Sequence, residues 1–121
     1  MATPHEPLDQ PAFLTALTAA MVEMHERYYH RPPGSAKSQM MGDDLVACVL
    51  GNVYTEVEKT LIELQRAPLV TENRSAFQHA MGDKFVAAVE RLTERRVVQF
   101  ISSHHVGPDL EIELFFLDAP L

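Results

Sequence analysis

The acid–base chemistry open to this chain rests on its histidines and carboxylates, six of the former and 17 of the latter in 121 residues. His104 and His105 are adjacent on an expected strand, so their side chains point to opposite faces and cannot share one ion. His25 and His30 stand five apart on an expected helix and are poorly aligned, and His79 stands alone. A zinc site would need Cys or His at short helical or hairpin spacing with further ligands. No metal site and no cofactor is therefore expected, and the histidines are expected to lie exposed or beside turns. One constellation could still do chemistry. His104 or His105 could meet Asp43, Asp44 or Asp109 at one rim of a sheet, because both expected hairpin turns carry carboxylates. A histidine–carboxylate pair there would serve as an acid/base couple or a pH-sensitive contact.

Other reactive side chains lack the surroundings their chemistry requires. Ser102-Ser103-His104 has no acid at a recognisable position and no G-x-S-x-G elbow. The five glycines are scattered and form no phosphate-binding loop. Cys48 sits inside an apolar run and reads as a buried, inert thiol. Met21, Met24, Met40, Met41 and Met81 read as core filler. Arg74, between Asn73 and Ser75 near a helix start, could contact an anion; its alternative is a solvated surface position. No catalytic residue is expected, and the chain reads as a non-enzyme.

Charge and composition narrow the partners. A net charge of -7 argues against nucleic acid, whose phosphates require a basic surface. Arg91, Arg95 and Arg96, the one basic cluster, fall where they complement a helix C-terminus. A lone cysteine excludes an intrachain disulfide framework and fits a reducing, cytoplasmic setting. No apolar run approaches the length of a membrane span, so direct membrane insertion is not expected. Met1 to Pro7 has neither the basic nor the apolar region of a signal peptide.

The elements that position these groups follow from periodicity and punctuation. Residues 1–8 are Pro-rich and read as a mobile tail, leaving 9–121 as one domain. Asp9 or Gln10 caps a first helix, with Pro11 at its first position; Phe13, Leu14, Leu17, Met21, Met24 and Tyr28 form its apolar stripe. Arg31-Pro32-Pro33-Gly34 stops it near Tyr29. A weak strand over 36–41 and an apolar strand over 44–50 flank the turn at Gly42-Asp43. Thr55-Glu56-Val57-Glu58 is a capping box that starts a second helix, reaching about Gln65. Pro68 opens a long third helix to about Glu94, with Gly82 marking either a bend or a close helix contact. Strands over 96–105 and 110–117 finish the chain around the turn Val106-Gly107-Pro108-Asp109. In the last, alternation sets Leu110, Ile112 and Leu114 inward and Glu111 and Glu113 outward, until it fails at Phe115-Phe116-Leu117. Phe115 and Leu117 then require cover, from a second copy or the chain's own tail, or form an exposed patch.

Gly42-Asp43-Asp44-Leu45 lines up with Gly107-Pro108-Asp109-Leu110, each leading into an apolar strand. The order α-β-β-α-α-β-β is thus expected to be α+β: two pseudo-duplicated helix-hairpin halves joined in one four-stranded antiparallel sheet, with helices on one face. The strand over 44–50 has no polar side, so it should be covered on both faces, by the chain itself or by a second subunit. That is a first indication of a homodimer.

Several stretches together resemble the MpsC-like family, a small bacterial domain linked to a sodium-translocating, membrane-potential-generating system. They are Tyr28-Tyr29-His30-Arg31-Pro32-Pro33-Gly34 after an amphipathic helix, Asp43-Asp44 leading into Leu45 to Leu50, the helix start Thr55-Glu56-Val57-Glu58, and Arg95-Arg96-Val97-Val98-Gln99 after a long helix. The resemblance spans roughly residues 12–118. Pro-Pro-Gly stands where the pattern has Gly-Pro, and Ser103-His104 where an acid often follows the serine. The family offers no catalytic residues to carry over. What it implies is a non-enzymatic accessory or regulatory protein working by protein–protein contact, with a membrane transporter subunit as possible partner. The alternative is a soluble homo-oligomeric sensor of a small molecule or anion, using a pocket between the third helix and the sheet.

Overall fold

A computed structural model describes residues 9–121; the tail expected over 1–8 lies outside them. Helix α1 spans Gln10–Tyr29. The Asp9 carboxylate accepts the Ala12 N–H at 2.9 Å, satisfying a first-turn donor. His30, at φ 60, closes the helix in the left-handed region. Strands β1 (Ser35–Met40) and β2 (Leu45–Gly51) form the first hairpin. Helices α2 (Glu56–Glu63) and α3 (Ala67–Thr93) lead to the second, β3 (Val97–His105) and β4 (Leu110–Leu117).

The four strands form one antiparallel sheet in the order β1-β2-β4-β3. This is the expected α+β architecture, and its pseudo-symmetry is visible in the register. Leu45 pairs with Phe116, and a shift by the repeat that carries Gly42 onto Gly107 converts that pair into Leu110 with Gly51, which is also observed. Helix α1 packs on β1 and α3 on β3, each half using its own helix.

Phe13, Leu17 and Met21 of α1, Val46 of β2, Phe85 of α3 and Phe115 of β4 anchor the core between helices and sheet. Gly82 serves the close approach of α3 to β3: a Cβ there would lie 3.3 Å from Phe100 Cε2.

Two expectations about the sheet are corrected. Strand β4 faces the opposite way from its apparent alternation: Glu111 and Glu113 lie beneath the helices, whereas Leu110, Ile112 and Leu114 face away from them. Phe115 and Leu117 share the parity of the two glutamates, and their burial under the chain's own helices fixes that facing. Strand β2 is central, but its buried side chains are Val46, Cys48 and Leu50; Leu45, Ala47 and Val49 stay half-exposed on the side without helices.

Candidate functional site

Strand register and helix period together build a polar end into the core. Across the helix side of the sheet, Met40, Val46, Phe115 and Phe100 form one row, Ser38, Cys48, Glu113 and Ser102 the next, and Ala36, Leu50, Glu111 and His104 the third. The character runs from apolar to polar along the strands. Helix α3 lies above with Phe85, Met81, Gln78 and Arg74 inward. One helical step of four residues advances about 6 Å and two strand residues about 6.8 Å, so Gln78 falls over Glu113 and Arg74 over Glu111.

Arg74 is fully buried, a correction to its reading as a solvated surface cation. It does meet anions, but they are the protein's own. Its Nε donates to Glu58 Oε2 at 2.6 Å and its Nη2 to Glu58 Oε1 at 2.5 Å. Nη1 donates to Glu111 Oε1 and Nη2 to the Val53 carbonyl, both at 2.7 Å. Four of the five guanidinium N–H donors are thereby used. The Tyr29 ring covers the guanidinium, 3.9 Å from centroid to Cζ. Glu58 is in turn fixed by the Thr55 capping box, so the start of α2 holds the counter-ion of α3.

The two carboxylates on Arg74 respond differently. Burial pushes Glu58 up, but the Arg74 bonds and the Thr55 N–H outweigh it and leave its pKa below the usual range. Burial of Glu111 prevails over its single bond to Arg74 and leaves it raised. Arg74 itself is pulled down by burial and raised further by the Glu58 bond and the Glu111 charge, so it stays protonated.

Glu113 is the acid without a cation. It is 1 % exposed, and its Oε2 has no hydrogen-bond partner. Gln78 Nε2 reaches Oε1 only at 3.5 Å. Burial, with the Glu111 charge adding to it, pushes its pKa up to about 8. Ser102, paired across the strands with Glu113, has an equally unpartnered buried hydroxyl.

Tyr54 ties the far corner together. Its hydroxyl donates to the His105 carbonyl at 2.9 Å and contacts His104 Nε2 at 2.9 Å. A hydroxyl has one proton, so Nε2 must be the donor in the second bond, leaving His104 neutral with Nδ1 bare. Burial, then the Arg74 charge, lowers the His104 pKa, in agreement with that tautomer. Asp109 accepts the backbone N–H groups of Val53 at 3.0 Å and Tyr54 at 3.1 Å, pinning the β2–α2 loop to the start of β4.

The rim expected from the sequence is split. His104 and Asp109 meet through Tyr54, but His105 lies exposed on the opposite side of the sheet. Asp43 and Asp44 lie at the other end, where their carbonyls accept the Leu121 and Leu117 N–H groups. Because β2 and β4 pair antiparallel, the two hairpin turns sit at opposite ends of the sheet, about 20 Å apart along the strands. His25 is also corrected: it is buried, with Nδ1 3.2 Å from the Arg31 carbonyl and Nε2 unpartnered. Burial, then the Arg74 charge, pushes it down to about 4. Its signal was present in the spacing Phe13-Leu17-Met21-His25; Glu113, Gln78 and Tyr54 had no comparable local signal.

The side of the sheet away from the helices has a different character. Leu45, Ala47 and Val49 of β2 lie beside Ile112, Leu114 and Phe116 of β4, all half-exposed, with Ile101 of β3 44 % exposed beyond them. The only carboxylates on the four strands, Glu111 and Glu113, point the other way. Among the described residues, no three of His, Cys, Asp or Glu are grouped as metal ligands, and no helix is long and apolar enough to cross a membrane.

The family model described as "Na+-translocating membrane potential-generating system (MpsC)" matches residues 12–119, nearly the whole chain, and the chain belongs to that family. No curated protein and no solved structure matches it.

Proposed function

From that membership and the uncovered sheet face, we propose that the chain is a non-enzymatic, cytoplasmic accessory protein. It acts as a homodimer through protein–protein contact and serves a membrane system of the kind its family is named for. The apolar open face carries this reading. A chain of net charge -7 keeps every carboxylate off the strands of that face; its Lys is Lys37 on the edge strand β1, so two copies can meet over the apolar centre on β2 and β4 without carboxylate repulsion. Strand spacing and rise give the face a footprint of roughly 400 Å². Two copies would then bury about 800 Å² together, below the roughly 1,000 Å² of a stable specific contact, so the dimer should be weak and reversible.

The alternative of an anion sensor has weaker support, because Arg74 is spent on Glu58 and Glu111. Sedimentation over a concentration series tests the dimer: a monomer at all concentrations removes it. A tagged pull-down from mildly detergent-solubilised cells tests the membrane link. Recovery of an integral membrane transporter subunit supports it, and recovery of the chain alone leaves the homodimer without that partner.

A further inference from the structure

A cleft of about 460 Å³ opens between α3 and β3, walled by Gln78, Gly82, Asp83, Val86, Phe100 and Ser102. Its depth comes from Gly82, whose missing side chain leaves the Phe100 ring as an apolar floor. At its polar end, the Gln78 and Ser102 side chains separate it from Glu113. Glu113 Oε2 and Ser102 Oγ are both buried without a hydrogen bond of good geometry, although the Ser102 hydroxyl is near enough to Glu113 to lower its pKa. The Gln78 amide nitrogen occupies the position between them poorly, 3.5 Å from Glu113 Oε1 and 3.3 Å from the Ser103 carbonyl.

The charge around the cleft is one-sided. Arg74, the one buried guanidinium or ammonium among the described residues, is bonded to Glu58 and Glu111. Asp83 is the carboxylate in the cleft wall itself and His79 the one basic side chain there; neither Lys nor Arg lines it. Once Glu113 is ionised, its free oxygen favours a positive donor, the Ser102 hydroxyl can accept from the same donor, and the Phe100 and Val86 surfaces accept a short hydrocarbon stem.

We propose that this cleft binds a small alkylammonium ligand, its head group displacing the Gln78 amide to donate to Glu113 and Ser102 while its carbon chain lies on Phe100 and Val86. The volume exceeds that of a bare ion, and the apolar floor gives no coordination, so an organic cation suits it better than a metal. The proposal is independent of the open sheet face.

Binding requires the Glu113 carboxylate, whose pKa of about 8 makes it largely protonated at neutral pH. The groups facing Glu113 are Glu111 on its own strand, Cys48 on β2, Ser102 on β3 and Gln78 on α3. Glu111 is the other acid among these, its pKa also raised by burial, and it is held by Arg74. Cys48, pushed up to about 11 by burial, stays a thiol.

The test is calorimetric titration of the full chain with n-butylammonium chloride at constant ionic strength. Saturable binding is expected at pH 8.5, weaker by about tenfold or more at pH 6.5, as one proton must leave Glu113. Glu113→Gln should abolish it without unfolding the chain, Ser102→Ala should weaken it, and Asp83→Asn should leave most of it. Absence of binding to the wild type, equal binding to Glu113→Gln, or loss only in Asp83→Asn would each overturn the proposal. Repeating the titration at several sodium chloride concentrations, with lithium chloride holding the ionic strength, separates the two sources of positive charge. Unchanged affinity supports the organic cation, and full competition by sodium assigns the cleft to the metal ion instead.

Discussion

The two sides of this sheet depart from the usual arrangement at one end, beyond the apolar Val46 and Phe115 of the covered side. The side under the helices holds Glu111, Glu113, Ser102 and His104, and the side left open holds Leu45, Val49, Ile112 and Leu114. Ordinarily a half-covered antiparallel sheet buries its apolar residues and solvates its polar ones. Here the polar residues are buried because α3 supplies partners at matching intervals, Arg74 for Glu111 and Gln78 for Glu113. The apolar side has no such partner within the chain. One side is covered within the chain; the other is left open.

The largest effect should come from the covered side. Arg74→Met removes one charge and leaves Glu58 and Glu111 buried without it, and should destabilise the fold by about 3–5 kcal/mol, read by urea denaturation. Replacing Arg74, Glu58 and Glu111 together with apolar residues of similar volume should recover much of that loss, since buried ion pairs are weak contributors relative to well-packed apolar groups. If Arg74→Met unfolds near the wild-type midpoint, the cluster is hydrated and the contrast between the two sides disappears.

Leu114→Asp examines the open side. It should abolish concentration-dependent association while changing monomer stability by less than about 1 kcal/mol, as a surface substitution does. The facing that alternation alone suggests makes the opposite prediction: Leu114 would be core, and its loss to a charge would unfold the chain. Sedimentation and denaturation of this one variant therefore decide which side is which.

The reason that facing was not legible lies in what alternation encodes. Period two says that Leu110, Ile112 and Leu114 share a side with one another and not with Glu111 and Glu113. It does not say which side the helices cover. That is settled by Phe115 and Leu117, which follow the glutamates' parity, and by Arg74 and Gln78, more than thirty residues away in the chain. Features whose partners are close in sequence were legible throughout: the Asp9 cap, the Thr55–Glu58 box and the two hairpins. Arg74 was legible only as a cation near a helix start, because nothing local distinguishes a buried arginine from a solvated one. The rim of five residues failed for a related reason. Each turn was correctly placed in its hairpin, but the β2–β4 pairing that sets them at opposite ends is a long-range fact.

The smallest expected effect is a slope against pH, and it separates two buried groups by sign. Glu113 binds its proton more tightly when folded, at about 8 against an ordinary 4.5, so the folded state holds more protons than the unfolded one between those values. Stability must then fall as pH rises through that window, by at most about 1.4 kcal/mol per pH unit. His25 does the reverse. Its folded value of about 4 against an ordinary 6.5 means the unfolded state holds the extra proton, so stability falls as pH drops through that window. Between about 4.5 and 6.5 the two oppose each other; above 6.5 His25 no longer opposes Glu113, and Glu111, also raised, acts in the same direction as Glu113. Denaturation midpoints should therefore decline from pH 6.5 to 8 in the wild type and decline less in Glu113→Gln. His25→Gln, whose amide can still reach the Arg31 carbonyl, should extend the decline down to about pH 4.5. A wild-type midpoint that is flat above pH 6.5 would mean that Glu113 is solvated or already paired, and that the covered side is less dry than its rows of side chains make it.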